Sequence, residues 1–157
     1  MNVTKTIATA VVIAASLGTS AIAQDAKTIA GAIKARQAQM TLYGHNLGIL
    51  GAMAKGTIEY DAASASNAAA SLAAVAKMDA SKLWLPGSDN ASVEGTRALP
   101  AIWQDGSDVG AKAMAMIAGA EAMEAAAGSG LDALRGAMPG VGGACGACHK
   151  AYRGPAN

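Results

Sequence analysis

Apolar residues recur at three- and four-residue steps in four separate stretches, the spacing that lines one face of an α-helix. The first runs from about Ala26 to Ala54 and carries Ile29, Ile33, Met40, Tyr43, Leu47 and Leu50, with Gly56 as a stop. For the second, Asp61 is a suitable N-cap because its carboxylate can accept an otherwise unpaired first-turn N–H. Ala65, Ala68, Leu72 and Val75 mark its inner stripe. A long connection from Asp79 to Pro100 follows, rich in the turn chemistry of Pro86-Gly87, Ser88-Asp89-Asn90 and Gly95. The third helix, capped by Asp105 or Ser107, carries Val109, Ala113, Met116, Ala120 and Met123 as far as Gly128-Ser129-Gly130. The fourth carries Leu131, Leu134, Met138, Val141, Cys145, Cys148 and Tyr152, a strict heptad stripe. Four amphipathic helices predict an all-α fold, an antiparallel four-helix bundle. Pro139 falls inside the last stripe, where a proline removes one backbone hydrogen bond, so a kink or break is expected there.

Composition supports the helical reading. With no Phe, 2 Trp and 3 Tyr, aromatics make up 3% of the chain while apolar residues reach 52%, largely through alanine. Alanine loses no side-chain entropy in a helix, and the shortage of aromatic residues argues against a sandwich or barrel. The 157 residues suffice for one domain, and 12 basic against 11 acidic side chains leave no basic face for nucleic acid.

Residues 1–23 read as a secretory signal peptide: Lys5, an apolar run from Ile7 to Leu17, and Ala21-Ile22-Ala23 ahead of Gln24. The apolar run is too short to span a membrane comfortably. Residues 24–157 are then the mature domain, expected in the periplasm.

The chemistry lies in Cys145-Gly146-Ala147-Cys148-His149. Two thiols three residues apart followed by histidine form the attachment motif of c-type haem. On a helix, positions i and i+3 share a face, so both sulfurs can form thioethers with one haem. His149 then offers a ring nitrogen to the iron as axial ligand. A disulfide across three residues of a helix has poor geometry, thioredoxin chemistry expects a βαβ setting, and zinc wants four ligands. One covalent haem c is therefore the expected cofactor.

The motif stands at the C-terminal end, with neither Met nor His after it, so any sixth ligand must come from upstream. The chain resembles the class II cytochromes c, the four-helix family of cytochrome c-prime and its low-spin relatives. The resemblance rests on Arg36-Gln37-Ala38-Gln39-Met40, Ala52-Met53-Ala54-Lys55-Gly56 with Tyr60-Asp61-Ala62-Ala63, Pro86-Gly87, Pro100-Ala101-Ile102-Trp103, and Cys145 to Arg153. Pro139 departs from the family pattern. The resemblance implies thioether links at Cys145 and Cys148, His149 as proximal ligand, and Arg36 with Gln37 near a haem propionate. It also places Arg153 beside the proximal histidine, and Arg97 in reach of the other propionate. Met40 occupies the family's distal position. There a methionine either binds the iron, as in low-spin electron carriers, or blocks a five-coordinate iron that takes nitric oxide and similar gases.

Two functions follow: a periplasmic electron carrier serving redox partner proteins, or a module binding small gas ligands. An enzyme is the least supported, since no acid/base pair or positioned nucleophile can be assembled. The resemblance further implies a homodimer through the first two helices.

Overall fold

A computed structural model describes residues 14–155, with side chains from residue 25 on. The helices are α1 (Ala14–Lys55), α2 (Ala62–Lys77), α3 (Val109–Ala126) and α4 (Leu131–Tyr152), with a 3-10 turn at Pro100–Trp103. Short connections at 56–61 and 127–130 make α1/α2 and α3/α4 antiparallel neighbours, and the 78–108 segment crosses between the pairs. The all-α bundle is thus observed.

Local signals set most boundaries. Asp61 caps α2 as expected, its Oδ1 accepting from Ser64 N–H at 2.7 Å. Gly56, with φ 73°, takes the left-handed conformation that ends α1. The start of α3 differs from expectation. Its N-cap is Asp108, whose carboxylate makes no cap bond, and Ser107 Oγ accepts only a long 3.4 Å bond from Val109 N–H. The Asp108 carboxylate is engaged elsewhere, by Tyr152 and Lys112. α1 starts at Ala14 rather than near Ala26, because the end of the expected leader is as rich in helix formers as the residues that follow. Residues 1–13 of that leader lie outside the described residues. Among the described residues no helix is long and apolar enough to cross a membrane.

Pro139 does not break α4, which runs unbroken through it with the proline exposed. Packing against α3 supports the backbone there. A Cβ added to Gly119 of α3 would stand 3.2 Å from the Gly140 carbonyl carbon and 3.3 Å from Val141 Cα. The two helices therefore meet backbone to backbone just past the proline.

The core is in two pieces. The larger joins Leu50, Met53, Leu72, Ala120, Met123, Leu134 and Val141 with the buried alanines of α2. The smaller gathers Ala98, Ile102 and Tyr152, with Trp84, Trp103, Val109 and Cys148 packed against it. α4 packs closely on α3 and only lightly on α1. The cysteine motif lies where these two pieces adjoin, Cys145 packed on the larger and Cys148 on the smaller.

Candidate haem site

Cys145 and Cys148 occupy successive stripe positions of α4, each half-buried, and neither is in a disulfide. Cys145 packs on the larger core and Cys148 on the smaller, so the two thiols bridge the gap between them. Cys145 Sγ lies 3.7 Å from Met116 Sδ of α3. Burial raises the pKa of both thiols above the ordinary value. For Cys148 the Lys112 ammonium opposes that rise. His149 is half-buried; burial first, then the charges of Arg153 and Arg97, hold its pKa below the usual histidine range. That direction favours the neutral imidazole, the form a metal binds.

The stripes thin out at this level of the bundle. On α1, Ile33 and Leu50 are 5% and 0% exposed, yet Met40 between them, on the same inward stripe, is 39% exposed. On α3, Ala120 and Met123 are fully buried while Ala113 is exposed and Met116 half-buried. On α4, Val141 and Tyr152 are buried, and the two cysteines between them are not. On each of the three helices the stripe is more exposed at these positions than beyond them. Two half-buried thiols and an imidazole on one helical turn, with Met116 of α3 against Cys145, are a donor set that fits a haem. No Cβ added to Gly44, Gly48 or Gly146 would touch anything.

The remaining expected residues fall into two groups. Arg36 is buried at 3% exposure and clasps the loop between α2 and α3. Its Nη1 donates to Ser88 Oγ at 2.7 Å and Leu83 O at 3.4 Å; its Nη2 donates to Ser88 O and, at 2.6 Å, to Thr96 Oγ1. The guanidinium carbon lies 5.0 Å from the Trp84 ring centroid, a cation–π distance. Burial pulls its pKa down, and Asp89 opposes this. Of the five N–H donors of an arginine, only Nε is left for another partner. Gln37 adds a second hold, donating to Gly95 O at 2.7 Å.

Arg97 and Arg153 form the other group. Arg97 Nε donates to Gly154 O at 2.8 Å, and Ala98 forms an antiparallel bridge with Arg153. These backbone links bring Arg97 to the chain that follows α4, where Arg153 stands one helical turn past His149. Met40 makes no polar contact that ties it to either group.

Sequence reasoning missed the network that seats α4. Tyr152 OH donates to Asp108 Oδ1 at 2.6 Å and accepts from Asp108 N–H and Ser107 Oγ at 2.9 and 3.1 Å. Lys112 Nζ stands 3.0 Å from the other carboxylate oxygen. Tyr43 OH, held by Gln39 Nε2 at 3.1 Å and donating to Val75 O at 3.3 Å, was likewise read only as a stripe residue. A tyrosine on an apolar stripe is the signal for both, since a buried phenol needs a hydrogen-bond partner.

A family model described as Cytochrome C' matches residues 31–153. Cytochrome c-554 of Cereibacter sphaeroides is 45% identical over 133 residues, covering 85% of this chain and 87% of that protein. Among solved structures, cytochrome c' from Rhodobacter Spheriodes matches with a TM-score of 0.78 and 40% identity, covering 82% of this chain and 98% of that one. A nitric oxide complex of a mutant cytochrome c prime from Alcaligenes xylosoxidans matches at a TM-score of 0.71 and 32% identity, over 82% and 97% of the two chains. Taken with the four-helix fold and the two thiols and imidazole on α4, these matches establish that the chain belongs to the cytochrome c' family, the class II monohaem c-type cytochromes that bind one covalent haem c.

Proposed function

We propose that this chain is a periplasmic electron carrier, exported by removal of residues 1–23 and working as the domain 24–157. When bound, the haem supplies a one-electron iron centre. Cys145 and Cys148 hold it covalently, and His149 gives the iron a neutral ring nitrogen. Met40 would give the iron its thioether sulfur. The observation that carries this reading is the exposure of Met40, 39% on the α1 stripe that also holds buried Ile33 and Leu50, which leaves its thioether accessible. A methionine sulfur favours ferrous iron and raises the potential, as suits a carrier. Arg36 and Gln37 serve the haem by holding the loop in place. Arg97 and Arg153 supply positive charge beside His149 and a haem propionate. The partners are periplasmic redox proteins. Exposed Leu42 on α1 and Ile58 just beyond it support a homodimer through the first two helices.

Met40→Leu tests the assignment, because it keeps volume and removes the sulfur. The expected result is a low-spin wild-type spectrum that turns high-spin in the variant, with a lowered potential. A wild type that is already high-spin, with neither spectrum nor gas affinity altered by the substitution, refutes ligation. The second reading, a gas-binding module, then takes its place. It is favoured by the likeness to a protein solved as a nitric oxide complex. Nitric oxide and carbon monoxide titrations of the holoprotein separate the two.

A further inference from the structure

His149 stands in the last turn of α4, which ends at Tyr152, and the last turn is where a helix frays. The chain leading to it resists fraying poorly. Gly140, Gly142, Gly143 and Gly146 precede the histidine closely, and each is a weaker helix former than alanine. Helix propensity therefore does not fix the place of the imidazole. What fixes it is whatever holds the end of the helix.

Tyr152 is held by its backbone and by its side chain. Its carbonyl, one of the last of α4 and without a partner inside the helix, accepts from Leu99 N–H at 3.0 Å. Its phenol reaches the start of α3, donating to Asp108 Oδ1 at 2.6 Å and accepting from Asp108 N–H at 2.9 Å and Ser107 Oγ at 3.1 Å. A phenol has one proton to give and two lone pairs to fill, so its capacity is fully used. Lys112 Nζ, 3.0 Å from Asp108 Oδ2, holds the carboxylate from its other side. The tyrosine ring is buried with Ala98 and Ile102, and Cys148 packs against that cluster. Arg153 N–H closes the turn on His149 O at 3.1 Å. Asp108 is the N-cap residue of α3, yet its carboxylate makes no cap bond there. α3 forgoes a local bond so that the carboxylate can reach α4, and a hydroxyl bonded to a carboxylate is a strong tie.

We propose that Asp108 and Tyr152 are positioning residues for the iron ligand: their bond pins the last turn of α4, so that the His149 ring is offered to the haem iron in one fixed orientation. Both act through the backbone of residues 149–152. Groups that orient a metal ligand tune the metal as well as hold it. The inference rests on His149 as the axial ligand, as read above, and is independent of whether Met40 also binds.

The test compares Tyr152→Phe, Asp108→Ala and Asp108→Asn in the holoprotein. Tyr152→Phe keeps the ring and removes only the hydroxyl. The readout specific to the ligand is the iron–histidine stretching band in the resonance Raman spectrum of the ferrous protein, recorded just after photolysis of its carbon monoxide complex. In Tyr152→Phe and Asp108→Ala the band is expected to move to lower frequency and broaden. Asp108→Asn, whose amide oxygen still accepts, is expected to restore most of the wild-type band. Amide exchange at residues 150–154 is expected to rise about ten- to hundredfold in Tyr152→Phe and Asp108→Ala, the effect of losing one bond to a charged group. Lys112→Gln releases the carboxylate on one side only and keeps the proposal testable if Asp108→Ala does not fold; it is expected to broaden the band by less. Leu72→Ala, which loosens the larger core cluster instead, is expected to leave the band in place. An unmoved band in Tyr152→Phe while exchange rises overturns the proposal, and the bond is then a structural tie only. An equal shift in Leu72→Ala overturns it too, as general loosening. His149→Gln tests the reading beneath: a band that survives it means that His149 is not the ligand. Loss of the band in His149→Gln with no shift in Tyr152→Phe keeps the ligand and sinks the positioning role alone.

Discussion

Where α1 runs into α2 and α3 into α4, the bundle closes on itself with side chains alone. Leu50, Leu72, Met123 and Leu134 are completely buried, and alanines of α2 let the helices approach closely. At the other end, where the cysteine motif lies, a small cluster built on Tyr152, Ile102, Trp84 and Trp103 stands apart from that core. Order there comes from polar side chains reaching across long stretches of chain: Arg36 to residues 83–96, and Tyr152 to Asp108. The contrast follows from what each end encloses. An end filled by its own residues needs only a matched apolar stripe on each helix. An end shaped around a large prosthetic group has surfaces that cannot touch one another, so its loops are held by hydrogen bonds.

The sharpest test of this contrast is to withhold the haem. Cys148→Ala is expected to cut holoprotein yield severely, read from the visible spectrum per protein. In the haem-free chain, amide exchange protection should be lost at residues 36–43, 83–99 and 145–152. It should persist at 68–76 and 120–134, because local stability follows buried apolar contact. Uniform loss of protection, or cooperative unfolding at undiminished stability, would break the two-region picture. Next in size is Leu72→Ala, which opens a cavity in the self-packed end and should cost about 3 kcal/mol by denaturant titration. The holoprotein's visible spectrum should stay unchanged.

Arg36→Met should cost about 2 kcal/mol, since it strands the carbonyls of Leu83 and Ser88 in a buried setting. Unlike Leu72→Ala, it should raise amide exchange in residues 83–96 and perturb the haem spectrum. Gly119→Ala is smaller, about 1 kcal/mol, because its Cβ would press on the backbone of Gly140 and Val141. Gly128→Ala meets only the hydroxyl end of Ser66, which can rotate away, so thermal unfolding should separate the two glycines in that order.

Much was determined by the sequence alone, and what it determined is local. Three- and four-residue spacing marks a helix wherever it occurs, so all four helices were legible. So was Asp61, whose capping bond spans three residues. That Cys145, Cys148 and His149 share one helical turn was legible for the same reason. Other features were decided only by the tertiary structure. Arg36 is separated by 47 to 60 residues from the loop it clasps, and nothing near it in sequence specifies Ser88 or Thr96 as its partners. Arg97 reaches the chain beside Arg153 only because the loop pairs with the residues after α4. Asp108, not Asp105 or Ser107, stands at the N-cap of α3, with its carboxylate drawn to Tyr152 instead. α4 passes through Pro139 because α3 packs against it at Gly119. Propensity and period act within a few residues, whereas each of these outcomes is chosen by whichever distant group satisfies a buried donor or fills a contact.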